Sequence, residues 1–263
     1  MEIEEPLAGG YDNRGEVVRV GDTVRRPPRQ FTPAIRALLL HLERAGFDGA
    51  PRYLDTDEQG REVLTFVEGD VPLPPYPAWS MSDDALDSFG ELLRRFHDAA
   101  ASFDATAVSG WHLDWADPLG GSMICHNDLF PENVVFRDGR AVALIDFDMA
   151  APGRPFWDLA GATQEWMPLH APETRRDHEL ALDAVARFGR LTRAYGVDAN
   201  DAVGLVDIVF AERAHAIANI RHELEIDNPV WIELWRDNGG DERAAIDDAW
   251  LAEQRDALIA AIT

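Results

Sequence analysis

The sequence predicts an α+β chain in two lobes: a small N-terminal lobe with an antiparallel sheet and one helix, then a larger, mostly helical C-terminal lobe. Three observations carry that reading. Short β-rich runs separated by Gly, Asp and Pro recur in the chain as far as residue 70, the pattern of hairpins. Beyond Ser82, apolar residues recur at the spacing of amphipathic helices. Within that helical half, two short apolar strands at 124–125 and 134–136 flank a polar loop. The lobe boundary is placed between 1–69 and 70–263, and 263 residues suit one large domain or two small ones.

In chain order, residues 6–27 form a glycine-containing hairpin, with Gly21-Asp22 as the turn between β-rich runs. Thr32-Pro33 opens a helix, Thr as N-cap and Pro at the first helical position. Ile35, Leu38, Leu39 and Leu42 make its apolar stripe, and Gly46 ends it. Residues 50–54 and 62–69 form a second hairpin around a turn at 57–60, and the proline-rich run 72–77 is a rigid, extended linker. Ser82 caps the next helix, with Asp83 and Asp84 in its first turn. On that helix His97 reads as a satisfied core histidine rather than a metal ligand. The tail reads as helices over 172–195, 199–224, 229–236 and 242–262, with Asn200 and Asp201 capping the second and Trp231, Trp235 and Trp250 as core anchors.

Composition excludes several classes. The formal charge is −24, which disfavours nucleic acid, whose affinity rests on Lys and Arg meeting phosphates. It favours cationic ligands by steering, or serves solubility. No apolar run approaches 18 residues, so no spanning helix and no membrane partner is expected. The acidic N-terminus lacks a signal-peptide pattern, and the one cysteine, Cys125, excludes an internal disulfide. Both fit a reducing, cytoplasmic setting. Cys125 reads as a buried, inert thiol. All 24 basic residues are Arg, so no Lys is present.

Chemistry concentrates between Ile124 and Asp148. The loop His126-Asn127-Asp128 leads five residues on to Asn133, and Asp146 follows thirteen later at the end of the next strand, in Ile145-Asp146-Phe147-Asp148. These side chains suit phosphoryl transfer. Asp128 can accept the proton of a substrate hydroxyl. Asn133 and Asp146 are hard oxygen ligands for Mg²⁺, which needs only one or two protein ligands beside nucleotide phosphates.

These motifs resemble the catalytic core of kinase-fold enzymes, and above all the aminoglycoside phosphotransferase and choline kinase-like family, whose loop reads H-G-D-x-x-x-x-N before I-D-F/W-D/E. Asn127 stands where that family has Gly. Leu92-Leu93-Arg94-Arg95-Phe96-His97 resembles its L-L-x-x-L-H, and Gly153-Arg154-Pro155-Phe156-Trp157-Asp158-Leu159-Ala160 its G-x-P-x-x-D-L-A. The resemblance implies a two-lobed protein-kinase-like fold. It implies ATP or GTP as co-substrate, Mg²⁺, and a small hydroxylated acceptor. Asp128 would be the catalytic base and His126 a brace of the loop. Asp158 reads as a buried carboxylate bonding backbone near that loop.

For the small lobe the resemblance implies that Gly9 and Gly10 lie over the phosphates and that Phe66, Val67 and Glu68 form a hinge against the base. Its strand lysine is replaced by Arg25 or Arg26. Period-two alternation sets Val24 and Arg26 on one face, which favours Arg26. The helix glutamate that pairs with that lysine in the family is missing: the early positions hold Ile35 or Arg36, and Glu43 comes near the helix end. The expected function is therefore transfer of a γ-phosphoryl group to an aminoglycoside-like or other amino-alcohol or sugar hydroxyl, with antibiotic resistance as one outcome. The alternative is a catalytically weak or inactive nucleotide-binding pseudo-kinase. The protein is expected as a monomer or homodimer. Acidic residues of the tail, Glu165, Glu212, Glu223, Glu225 and Glu233, are candidates to line a polycation pocket or plain solvated faces.

Overall fold

The computed structural model describes residues 3–7, 16–163, 166–176 and 179–263. Gly9, Gly10 and Glu165 lie outside the described residues. Strands β1 (Glu5–Pro6), β2 (Val18–Val20), β3 (Thr23–Arg26), β4 (Tyr53–Thr56) and β5 (Glu62–Thr65) form one antiparallel sheet in the order β1-β2-β3-β5-β4. Gly21 turns β2 into β3 at φ 58, a conformation open to glycine at no steric penalty. The β3–β5 register sets Val24 opposite Leu64 and Arg26 opposite Glu62.

Helix α1 (Thr32–Arg44) crosses between β3 and β4 and buries Ile35, Leu38, Leu39 and Leu42, the expected stripe. Gly46 ends it at φ 79, with Phe47 N–H donating to the Leu42 carbonyl. Its start differs from expectation. Phe31 is the N-cap and no side chain caps it. The Thr32 hydroxyl is diverted: it accepts from Arg29 N–H at 2.9 Å and donates to Glu62 Oε2 at 3.3 Å. The hydroxyl oxygen thus serves an amide that precedes the helix, and its proton goes to the buried Glu62 carboxylate.

At residues 69–70 the chain passes against strand β7 (Val134–Arg137). Asp70 and Phe136 exchange both backbone hydrogen bonds at 2.8 Å. Gly69, at φ 150, lies so close that a Cβ would sit 2.4 Å from the Phe136 carbonyl oxygen. Helix α2 (Asp83–Ala100) begins as expected, Ser82 Oγ accepting from Ala85 N–H. It packs on α4 (Ala184–Tyr195) and on the hairpin of β7 with β8 (Arg140–Leu144). A second antiparallel pair joins β6 (Met123–Cys125) to β9 (Ala151–Gly153). Helices α3 (Trp157–Gly161), α5 (Ala202–Glu225), α6 (Pro229–Asp237) and α7 (Gly240–Ile262) complete the larger lobe.

Three readings of the tail are corrected. The described residues of 172–183 do not form the first turns of a helix: Pro172–Thr174 is a short 3₁₀ turn, and α4 starts after Asp183, whose side chain accepts from Ala186 N–H. The turn before α5 is held by Asp198, which accepts from Asn200 N–H; Asp201 stands at the N-cap of α5 as expected, but its side chain makes no cap hydrogen bond, and Asn200 is not a cap. Trp231 and Trp235 are not core anchors: α6 has no buried residue, and Trp231 stacks on Trp115 with ring centres 5.1 Å apart. Trp250 packs partly buried against the core. A fully buried aromatic pair is instead Trp166 stacked on Phe89 at 4.1 Å. Among the described residues no helix is long and apolar enough to cross a membrane.

Candidate active site

The polar loop leaves β6 at His126 and returns into β7 after a 3₁₀ turn at Pro131–Asn133. A buried carboxylate holds its start. Asp158, on the first turn of α3, accepts from the backbone N–H groups of His126 at 2.6 Å and Asn127 at 2.8 Å. The same carboxylate lies 3.0 Å from His97 Nε2, and His97 Nδ1 lies 2.7 Å from the Tyr195 hydroxyl. His97 is thus the satisfied core histidine the sequence suggested. Asp158 bonds backbone beside the loop, as read.

Asn127 adopts φ 62, in the left-handed region. Asn tolerates that region better than most residues, which explains why it can stand where the resemblance expects Gly. Its amide also donates to the Met149 carbonyl at 2.9 Å. His126 is fully buried, with Nε2 3.0 Å from the Ile145 carbonyl and its ring against Phe147. Burial pulls the imidazole pKa down, partly offset by Asp158. A neutral ring donating from Nε2 fastens the loop to the Asp146 strand end. Cys125 is fully buried and its thiol pKa is pushed up by burial, so it is inert as expected.

Asp128 and Asn133 are brought together. The Asn133 amide donates to Asp128 Oδ2 at 2.8 Å and to the Asp128 carbonyl at 2.9 Å. Burial pushes the Asp128 carboxyl up to about 7, with Asp146 adding to the rise and the Asn133 hydrogen bond opposing it. Asp146 follows β8 in the left-handed region at φ 60. Its pKa is raised by burial and by Asp148, and held back by Arg26.

Arg26 reaches this group from the small lobe. Its Nη1 lies 2.7 Å from Asp148 Oδ1 and 3.7 Å from Asp146 Oδ1, and its Nε donates to Glu62 Oε2 at 3.0 Å. Burial lowers the guanidinium pKa, but Asp148, Glu62 and Asp146 outweigh it and the net shift is upward. Arg25 points to the other face, its Nε 3.8 Å from Asp57. Of the hinge residues, Phe66 lies under the Arg19 guanidinium at 3.7 Å. Glu68 pairs with Arg19, and its carbonyl accepts from Arg137. Val67 is half-buried between them.

Two residues here were missed by sequence reasoning. Asp148 was visible in the motif but carried no assigned role. Glu62 gave no signal, because only strand pairing puts it opposite Arg26.

The donor set fits a hard divalent cation. With its NH₂ group committed to Asp128, Asn133 keeps its amide oxygen for a ligand. Asp146 lies in a crowd of carboxylates that a cation would relieve. Among the described residues no group of three or more His, Cys, Asp or Glu is arranged to hold a metal alone. Mg²⁺ needs no such group when phosphates complete its shell.

The architecture is the kinase-like fold. A choline/ethanolamine kinase family protein from Mesorhizobium loti superposes with a TM-score of 0.63 at 21% identity, over 99% of this chain and 92% of that one. A GDP and kanamycin complex of an aminoglycoside phosphotransferase gives 0.57 at 17% identity, over 94% and 93%. The trifolitoxin immunity protein of Rhizobium leguminosarum bv. trifolii is 33% identical over the full length of both chains. The model of the phosphotransferase enzyme family matches residues 101–189. By its full-length identity this chain belongs to the family of the trifolitoxin immunity protein, and its likeness to the phosphotransferase enzyme family covers residues 101–189.

Proposed function

We propose that this protein transfers the γ-phosphoryl group of ATP or GTP to a hydroxyl of a small molecule. One observation carries the reading: Asn133 bonded to Asp128, Asp128 in the field of Asp146, and Asp146 beside Arg26 form a single connected cluster. Asp128 is the base that orients the acceptor hydroxyl and takes its proton. Its raised pKa makes it a better base than a solvated carboxylate while leaving much of it ionised near neutrality. Asn133 and Asp146 hold Mg²⁺, which when bound neutralises charge on the phosphates. Arg26 grips phosphate oxygens, for which its planar fork is suited. His126 keeps the loop in register. Phe66 to Glu68 meet the base.

The acceptor is a small hydroxylated molecule, and a net charge of −24 favours a cationic one. The choline/ethanolamine kinase and kanamycin-bound relatives point the same way. A second reading, that the acceptor is a toxin or antibiotic whose phosphorylation protects the cell, is supported by the full-length likeness to an immunity protein. The test is mass spectrometry of acceptors after incubation with Mg·ATP or Mg·GTP, over choline, ethanolamine, homoserine and aminoglycosides, with ADP or GDP release measured alongside. A gain of one phosphate on any acceptor supports the reading. Nucleotide binding without transfer to any of them favours the inactive pseudo-kinase. No nucleotide binding refutes both.

A further inference from the structure

Helix α1 holds one glutamate, Glu43, and that residue pairs with Arg52 at the surface. The counter-charge of Arg26 comes from the sheet instead. Arg26 and Glu62 are direct cross-strand partners in the β3–β5 ladder, with Nε 3.0 Å from Oε2. The Glu62 side chain is 2% exposed, deeper than that of Arg26 at 11%. Oε2 also accepts from the Thr32 hydroxyl, while Oε1 is buried without a hydrogen-bond partner. A carboxylate in such a place is unfavourable unless a charge partner holds it there. The flanking Val63 and Leu64 show what the strand otherwise buries.

We propose that Glu62 is the positioning residue that orients Arg26 toward the nucleotide phosphates, acting from β5 where the family resemblance would place a glutamate on the helix. The inference rests on the nucleotide reading above. Arg26 divides its fork between two faces: Nε on Glu62, and Nη1 on Asp148 and near Asp146. When a phosphate arrives, Nη1 passes from Asp148 to a phosphate oxygen, and Nε stays on Glu62. The free Oε1 can accept a second guanidinium N–H as the fork turns. Because both partners sit in one ladder, the aim of Arg26 is set within the sheet and needs no inward swing of α1.

The experiment measures Kd for Mg·ATP and Mg·GTP by calorimetry on the full chain, together with thermal melts without nucleotide. The variants are Arg26→Ala, Glu62→Gln, the double variant and Glu43→Gln. Glu62→Gln is expected to weaken the better nucleotide about 10- to 100-fold, the range for losing an outer partner that orients a binding group. The double variant is expected to bind no worse than Arg26→Ala alone, because Glu62 acts only through Arg26. Glu43→Gln should bind as wild type does. Wild-type affinity in Glu62→Gln, or a loss that adds in full to that of Arg26→Ala, overturns the inference while leaving the nucleotide reading intact. Failure of the wild-type protein to bind either nucleotide overturns both. Should Glu62→Gln melt before it can be measured, Glu62→Asp keeps the charge and withdraws it by one methylene. It is then expected to weaken binding relative to wild type, and unchanged affinity overturns the proposal.

Discussion

Replacing Asp158 by Ala should loosen the active-site loop from beneath. The carboxylate is fully buried and holds the His126 and Asn127 amides at 2.6 and 2.8 Å and the His97 ring at 3.0 Å. Alanine leaves up to three buried donors without an acceptor, each worth about 1–3 kcal/mol. Relaxation and water entry recover part of this, so a loss of about 3–6 kcal/mol is expected, a large share of the ~5–15 kcal/mol that stabilises most domains. Asp158→Asn should lose less, since one oxygen still accepts while the new NH₂ confronts a donor. Urea denaturation followed by circular dichroism gives the number, read from the midpoint at an unchanged slope. Phosphoryl transfer should fall in the same order, because the turn that presents Asp128 is no longer tied to α3. A shift below ~1 kcal/mol for Asp158→Ala would refute the view that this carboxylate is the loop's main anchor.

Asp128→Asn should remove most phosphoryl transfer and leave nucleotide Kd nearly unchanged, and unaltered turnover would eliminate Asp128 as the base. The same variant has a pH signature. The folded carboxyl titrates at about 7, against an ordinary value of 3.8. Between those limits the folded state keeps a proton that the unfolded chain has lost, so this group makes stability fall as pH rises from ~4 to ~7. In metal- and nucleotide-free buffer, the melting temperature of Asp128→Asn relative to wild type should therefore climb across that window, and a flat difference would contradict the shift. Arg26→Ala should weaken nucleotide binding by ~2–4 kcal/mol, the scale of removing one partner of a buried charge pair, and Arg25→Ala by much less; calorimetry on the two variants decides between them. Asn127→Ala should destabilise by ~1–2 kcal/mol through its left-handed backbone, with Asn127→Gly closer to wild type by thermal melt, and equal melts for the two would discount the backbone strain.

Residues close in sequence were the legible part of this protein. The Asp128-to-Asn133 spacing spans one turn of chain, so the hydrogen bond between them is local. Alternation along β3 separated Arg25 from Arg26, because a strand turns successive side chains to opposite faces. The stripe of α1, the Gly46 stop and the Ser82 cap are likewise properties of single helices. Tertiary structure decided what depends on partners far along the chain. Glu62 and Arg26 are 36 residues apart and meet only because β5 inserts beside β3. The Thr32 hydroxyl likewise found partners outside its own helix, accepting from Arg29 N–H and donating to Glu62 across the sheet. Trp166 became a core aromatic and Trp231 stayed half-buried because α2 and the β7–β8 hairpin enclose the first, whereas α6 holds no fully buried residue. Periodicity states which face of an element is apolar. It does not state which other element arrives to cover it, and burial and charge pairing are settled by that arrival.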